Sequence, residues 1–327
     1  KKNNIWLKVN KSLKYIIMRT KFFAYFITFF AFTISSYAQT YRYITGWSED
    51  INNRIEAFLN TTITMNTRKV AVFDGDGTVI GQAPYYLADE ALYRYADLHY
   101  KGKTDKLSKK KMAILEGMVK DGNNVGKAYV ENRVHFLSGM TPTEIEDLGY
   151  ECYQSSYSNK FYPEMKQLIA NLKEYGFEVW ILTASPELLY QRFLCEELGI
   201  PECNVLGVKS VVVDGKLTDE IIMPIPQDDG KANVIPTFIK TRPLIVGGNS
   251  RGDMDMLNQS CGLKIVVNPD NQTIRGKEDG PMNGYTVKQY WEKEGAIIVK
   301  CNDTVNQDIK FHTADWGIRT NISNPKN

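Results

Sequence analysis

The sequence predicts an α/β fold: a three-layer, Rossmann-like core on a parallel sheet, with an α-helical cap domain inserted after the first strand. Three observations carry that expectation. Short apolar runs such as Val70-Ala71-Val72-Phe73 and Pro243-Leu244-Ile245-Val246-Gly247 have the length and unbroken hydrophobicity of strands buried on both faces. Each run feeds an acidic, glycine-bearing loop, Asp74-Gly75-Asp76-Gly77-Thr78 in one case and Gly248-Asn249-Ser250-Arg251-Gly252-Asp253 in the other. Loops at the carboxyl edge of a parallel sheet are where open α/β folds hold their ligands. Between the runs, from about Pro84 to Asn159, apolar residues recur at helical spacing without a convincing strand.

Taken in order, the chain opens on a segment that reads as an address. Its first methionine is Met18, so residues 1–17 are expected to lie upstream of the start. Arg19 and Lys21 form a basic region, residues 22–34 an apolar stretch, and Ser36-Tyr37-Ala38 a small-x-small cleavage site. The apolar stretch falls short of the roughly 20 residues a spanning helix needs. A cleaved signal over residues 18–38 is therefore expected, leaving an exported chain, periplasmic or secreted and free of the membrane. Residues 39–82 then form the first part of the core, 83–160 the cap, and 161–327 the second part with a C-terminal extension.

Within the cap, helices are expected over residues 85–100, 106–119 and 128–137, with a breaker at 122–126. Thr141-Pro142-Thr143-Glu144 reads as a helix start, with Thr141 as N-cap, Pro142 in the first turn and Glu144 at the capping-box position. The α/β rhythm then resumes: helix 163–175 stopped by Gly176, strand 177–182, helix 186–198, and a β excursion 205–213 turning at Asp214-Gly215. Helix 231–239, strand 244–246, helix 254–259 and strand 264–267 follow.

Composition excludes several function classes. Over 327 residues, 43% are hydrophobic and 24% charged, which is ordinary for a globular chain. The formal net charge of +2 is misleading, because residues 1–38 carry seven Lys/Arg and no acid. Without them 33 bases face 38 acids, a mildly acidic balance that gives no electrostatic case for nucleic acid. The five cysteines fit no zinc spacing; Cys195 and Cys203 are the nearest pair for one disulfide, and a buried free thiol is the equal alternative for each.

The acidic loops carry the chemistry. Two carboxylate-bearing loops at one sheet edge suit a hard cation such as Mg²⁺. Asp74 is the candidate nucleophile, since a carboxylate can attack phosphorus. Asp76 is positioned to protonate a leaving alcohol and then deprotonate water. Gly75 leaves room for a phosphate against the backbone N–H groups, and Gly77 permits a tight turn. A calcium loop starting at Asp74 would need a glutamate at its twelfth position, which is Tyr85, so that alternative fails.

At these loops the chain resembles the haloacid dehalogenase superfamily, whose phosphatases open with Asp-x-Asp-Gly-Thr and close with Gly-Asp-Ser-x-x-Asp-x-x-Met-Leu. The second pattern is matched over residues 248–257 at every fixed position but Asn249. The resemblance covers about residues 68–270 and implies a Mg²⁺-dependent phosphomonoesterase of the phosphoserine phosphatase-like branch, acting on a small phosphorylated metabolite through an aspartyl-phosphate. It implies Thr183, ending a strand, and Lys231, opening a helix, as further phosphate-binding groups beside Gly75. It implies Asp74, Asp76, Asn249 and Asp253 as metal ligands. Asn249 departs from the usual aspartate; its amide oxygen coordinates without charge, which weakens the metal's hold.

Residues 83–86 and 137–141 also resemble exported phosphorylcholine phosphatases, and aromatic rings hold quaternary ammonium groups by cation–π attraction. A phosphorylcholine or phosphoethanolamine phosphatase is thus the alternative substrate reading. A retired phospho-ligand-binding protein is the alternative of another class.

Overall fold

The computed structural model describes residues 39–120, 126–269, 283–305, 308–318 and 320–321. The expected signal segment and residues 122–125 of the expected breaker lie outside the described residues. No described helix is long and apolar enough to cross a membrane.

Strands β1 (Lys69–Asp74), β2 (Phe177–Pro186), β3 (Val205–Val208), β6 (Ile245–Gly248), β7 (Leu263–Val267) and β8 (Ile297–Val299) form a parallel sheet in the order β3-β2-β1-β6-β7-β8. The chain leaves β1, builds outward on one side through β2 and β3, then crosses back to lay β6 on β1's other edge. Both neighbours of β1 run parallel to it, with Ala71 opposite Val179 on one side and Ile245 on the other. That reversal of direction creates a crevice at the carboxyl end of β1, the switch point where α/β sheets bind ligands. Asp74 is the last residue of β1.

Alternation along β1 builds the three layers. Ala71 and Phe73 join one apolar cluster while Val70 and Val72 join another. The first packs against α1 (Glu49–Thr61), α6 (Pro163–Glu174) and α7 (Glu187–Leu198) through Leu59, Leu168 and Phe193. The second packs against α8 (Asp229–Val234), α9 (Met254–Leu257) and α10 (Val287–Lys293) through Val234, Met256 and Trp291. Helix α1, strand β8 and helix α10 were not anticipated; β8 is three residues long, too short to leave a pattern.

The cap is a set of four helices, α2 (Leu87–His99), α3 (Lys106–Lys120), α4 (Lys127–Leu137) and α5 (Pro142–Cys152), each close to its expected bounds. Both halves of the capping box on α5 form, with Thr141 accepting from the Glu144 amide and the Glu144 carboxylate accepting from the Thr141 amide. The cap's core is not its own. Leu92, Tyr93, Phe136 and Ile145 belong to the same apolar cluster as Ala71 and Phe73 of the sheet.

Its two ends are stitched together: the Gly81 amide donates to the Lys160 carbonyl at 2.8 Å and the Tyr162 amide to the Val79 carbonyl at 3.0 Å. The β excursion divides into β3 in the sheet and a separate hairpin, β4 (Ser210–Val213) with β5 (Lys216–Ile221). Asp214 and Gly215 turn it at φ 50° and 74°, the left-handed pair that a two-residue hairpin requires. Leu217 of β5 exchanges backbone bonds with Gly139 and Met140 of the cap. All five cysteines are free, and the Cys203 thiol is turned to Asn204 Oδ1, so the Cys195–Cys203 disulfide is not formed.

Candidate active site

The end of β1 opens into a cavity of about 210 Å³ lined by Asp74, Asp76, Thr183, Lys231, Asn249 and Ser250 from the core and by Tyr86 and Arg133 from the cap. Its floor is set by backbone geometry. After Asp76 the chain turns back so that the Val79 amide reaches the Gly75 carbonyl and the Gly77 amide the Ile80 carbonyl. Gly77 takes φ +80°, and a side chain there would come within 2.3 Å of Asn249 Nδ2, so only glycine lets the two acidic loops meet.

Lys231 is part of the floor, its Nζ 2.6 Å from both Asp74 Oδ1 and Asp253 Oδ1. All three groups are nearly or wholly buried. An unpaired charge at this depth would be costly, so the lysine and its two carboxylates are held as a unit. Burial pushes the Asp74 carboxyl up, to about 7, and the neighbouring Asp253 charge pushes the same way while Lys231 opposes. Asp253 shifts down: burial is outweighed by Lys231 and by the amides of Asn249 and Ser250. The cavity is thus lined by a lysine that stays charged and by Asp74, with Asp253, of lower proton affinity, buried behind them.

Asp76 faces the other way. Its carboxylate accepts from Tyr190 Oη at 2.9 and 3.0 Å and from Ser185 Oγ at 3.0 Å. Burial raises its pKa, opposed by Tyr190, by the charge of Arg133 and by Ser185. A buried carboxyl with hydroxyl partners and a raised pKa suits a group that must hold and release one proton. Thr183 ends the regular part of β2 with Oγ1 accepting the Ser185 amide, and it stands 3.5 Å from where a Cβ on Gly75 would sit. Its hydroxyl therefore borders the space that Gly75 leaves open.

The metal expectation sorts itself by geometry. Among the described residues no group of three or more His, Cys, Asp or Glu side chains could hold a metal ion. Asp74 Oδ2 and Asn249 Oδ1 both lie 3.4 Å from Thr78 Oγ1, so two oxygens from the two loops converge on one gap. Oxygen donors of this kind fit Mg²⁺, which takes one or two carboxylates and completes its shell with water and phosphate. Asp253 is differently employed: one oxygen holds Lys231 and the other accepts from the Asn249 amide, the Ser250 amide and Ser250 Oγ, each at 3.0–3.1 Å. The Asp76 side chain is likewise engaged with Tyr190 and Ser185. Asp74 Oδ2 and Asn249 Oδ1, held only by long contacts to Thr78 Oγ1, are the oxygens that would hold the ion.

Arg133 and Asp89, in the wall above Asp76, were not read from the sequence. Arg133 of α4 is 1% exposed, pairs with Asp89 of α2 through Nε at 2.8 Å, and lies over the rings of Tyr86 and Tyr129 at 5.4 and 4.9 Å. Among the described residues its Nη2 has no hydrogen-bond partner. One signal was available: α4 buries Tyr129, Val130, Val134, Phe136 and Leu137, and Arg133 is a full charge on that apolar stripe. Tyr190, Gln82 and Asp228, the last at φ 49°, also line or frame the cavity without a sequence signature.

Residues 71–258 match the profile of the haloacid dehalogenase-like hydrolases. Over 156 residues the chain is 25% identical to the phosphoserine phosphatase SerB1 of Mycobacterium tuberculosis, covering 46% of this chain and 49% of that protein. The chain therefore spans about half the length of the curated relatives it matches. Among solved structures it resembles a protein of unknown function from Anaerococcus prevotii, with TM-score 0.59, 18% identity and 81% and 97% of the two chains covered. It also resembles one from Bordetella pertussis, with TM-score 0.54, 15% identity and 72% and 99% covered. With its sheet order, its inserted helices and the aspartate closing β1, the chain belongs to the haloacid dehalogenase-like hydrolase family.

Proposed function

We propose that the protein is an exported, Mg²⁺-dependent phosphomonoesterase acting on a small, anionic phosphorylated metabolite, phosphoserine being the model substrate. The observation that carries the reaction is the division of labour between the two aspartates. Asp74 is locked beside a buried ammonium at the sheet edge, and Asp76 is held away from it by the Ser185 and Tyr190 hydroxyls.

In the first step an Asp74 oxygen bonds to phosphorus and the ester P–O bond breaks, while Asp76 gives its proton to the leaving alkoxide. In the second, water attacks phosphorus, Asp76 takes a proton from it, and the Asp74–phosphorus bond breaks to release phosphate. Lys231 and the Thr183 hydroxyl meet the phosphoryl oxygens, and Lys231 compensates the charge that develops on them. Mg²⁺ bound by Asp74 and Asn249 would supply further positive charge there.

The substrate class follows from Arg133. A buried guanidinium nitrogen without a partner leaves about 1–3 kcal/mol of desolvation unrecovered, and an acidic group on the substrate would recover it. The same residue argues against phosphocholine, because the rings of Tyr86 and Tyr129 that would cage a quaternary ammonium already carry a cation. The retired-domain reading is disfavoured by the intact Asp74–Lys231–Asp253 unit and the proton-holding setting of Asp76. Turnover on phosphoserine, phosphocholine, phosphoethanolamine and sugar phosphates, with Mg²⁺ and with EDTA, tests the whole reading. Phosphoserine is expected to lead and EDTA to abolish its turnover; a preference for phosphocholine would defeat the anionic assignment.

A further inference from the structure

The segment after β8 packs where the sheet does not need it. Residues 300–305, 308–318 and 320–321 run back over the cap and touch it repeatedly. Asp303 accepts from the Gln82 and Ala83 amides, both at 3.0 Å, and pairs with Lys160. The Thr304 carbonyl also receives Lys160 Nζ. Residues 82–83 and 160 are the two ends of the cap, so one carboxylate binds both.

Further along, the Asn321 amide donates to the Pro84 carbonyl and its side chain to the Gln82 carbonyl. Phe311 sets its ring edge-on against Tyr85 and Tyr157, at 5.5 and 5.9 Å. Helix α11 (His312–Asp315) then meets α2: the His312 and Thr313 amides and Thr313 Oγ1 all donate to Glu90, whose carboxylate is buried. His312 and Trp316 reach Asp97, and the Trp316 ring lies against Tyr93.

These contacts lead into the cavity. Gln82, whose amide Asp303 fixes, lines it. Glu90, fixed by Thr313, neighbours Asp89, which holds Arg133. A hinge moves by changing φ and ψ in a few residues. Here those residues have their N–H groups tied to a carboxylate, and swinging the cap away would strand Lys160 and Glu90 without partners in a buried setting.

We propose that residues 300–305, 308–318 and 320–321 form a strap that holds the cap closed, and that Asp303 and Thr313 are positioning residues which set substrate discrimination without touching substrate. The cap acts as a fixed wall, shaped before the substrate arrives, instead of a lid that closes afterwards. Only the activity arm of the test rests on the reaction proposed above.

The test uses the full chain with Asp303→Ala, with Lys160→Met/Asp303→Ala, and with Thr313→Val. Amide hydrogen exchange is followed at Gln82, Ala83 and α2. KM and kcat are measured for phosphoserine and for p-nitrophenyl phosphate, an ester with nothing for Arg133 to bind. Expected are exchange at least ~10-fold faster at Gln82 and Ala83 in both Asp303 variants, and along α2 in Thr313→Val. KM for phosphoserine should rise about 10-fold, with kcat/KM for the aryl ester within about threefold of wild type.

The double variant removes the stranded lysine, so it should regain melting temperature while exchange stays fast; that separates positioning from stability and covers the case in which the single variant fails to fold. Wild-type protection at these amides in every variant overturns the strap. So does unchanged discrimination between the two esters despite faster exchange. Hydrolysis of neither ester by the wild-type chain would refute the proposed reaction, and the exchange comparison would still decide on the strap.

Discussion

The floor and the wall of the cavity are built by opposite means. On the floor, Asp74, Thr183 and Lys231 come from two strand ends and the start of a helix, and hydrogen bonds within a few residues of each fix the turns that carry them. In the wall, Tyr86, Arg133 and Tyr190 come from a helix cap and two helix faces, and each is placed by a partner 44 or more residues away in sequence. Local geometry supports a reaction that is the same for every phosphate ester. Long-range geometry can be altered one contact at a time, which suits the choice of alcohol. Damage to the floor should therefore abolish the reaction on all substrates, and damage to the wall should redistribute it.

The largest expected effect tests the floor. Asp74→Asn should lower kcat on the order of 10⁴-fold or more on every ester, since the neighbouring carboxylates are engaged elsewhere, Asp76 with Tyr190 and Ser185 and Asp253 with Lys231 and the Asn249 and Ser250 amides. Asn keeps the volume and leaves Lys231 paired with Asp253, so circular dichroism and melting should show a folded protein. A rate within tenfold of wild type on phosphoserine would remove Asp74 as nucleophile.

The wall should respond selectively. A charge-assisted hydrogen bond is worth about 1.5–3 kcal/mol, so Arg133→Met should cost phosphoserine roughly 10- to 100-fold in kcat/KM and leave p-nitrophenyl phosphate nearly unaffected. The substitution also strands Asp89, at about 3–5 kcal/mol of stability; Asp89→Asn in the same chain should recover most of that. Equal losses on both esters in the double variant would mean that Arg133 supports the fold and not the choice of substrate.

The same contrast explains what could be read in advance. Asp74, Asp76, Thr183 and Lys231 were legible because chemistry at a strand end demands particular residue types at short spacing, and the strands carry an uninterrupted apolar code. Helix bounds in the cap were legible from periodicity, and Thr141 and Glu144 from capping. Arg133, Asp89 and Asp303 were not, because an arginine on a buried stripe or an aspartate in a tail acquires its meaning only from a distant partner. Tyr85 and Tyr86 show the limit most clearly. The sequence marks them as neighbours beyond the catalytic loop and cannot tell them apart. Tyr86 lines the cavity beneath Arg133, whereas Tyr85 packs on Phe311 of the strap.

Those two tyrosines give the next prediction. Tyr85→Ala should destabilise the chain by about 3 kcal/mol through the cavity it leaves and keep the ratio of phosphoserine to aryl-ester turnover. Tyr86→Ala should change that ratio several-fold with a smaller loss of stability. Melting curves and the paired kinetics distinguish them, and a reversed pattern would exchange the roles of hinge packing and wall.

Within the floor, Asn249→Asp asks how finely the metal site is tuned. Asn249 Oδ1 already shares a gap with Asp74 Oδ2, and an added charge should tighten Mg²⁺ several-fold. In the metal-free protein the same charge would stand near Asp74 and Asp253 and repel them. A titration of activity against Mg²⁺ should show a lower half-saturation concentration, accompanied by a lower melting temperature in EDTA. Unchanged half-saturation would mean that the existing donors already satisfy the ion.

The smallest effect concerns the strap in acid. Asp97 accepts from Lys101, His312 and Trp316 at 2.8–3.0 Å. Burial raises its pKa, but those partners, Lys101 foremost, outweigh it and hold the carboxyl below its ordinary value. The folded chain therefore binds a proton here less readily than the unfolded chain. Stability from these contacts is fully present above the unfolded pKa of about 3.9 and is lost as pH falls through the folded value. Asp97 is partly solvent-screened, so its share at neutral pH should be less than about 1 kcal/mol. Urea unfolding of wild type and Asp97→Asn between pH 6 and pH 3 measures it. The two curves should differ at pH 6 and converge below about pH 4, and exchange along α2 should quicken over the same interval in the wild type alone. A difference that persists unchanged to pH 3 would show that the contacts do not depend on the charge of Asp97, leaving Glu90 and Asp303 as the acidic anchors of the strap.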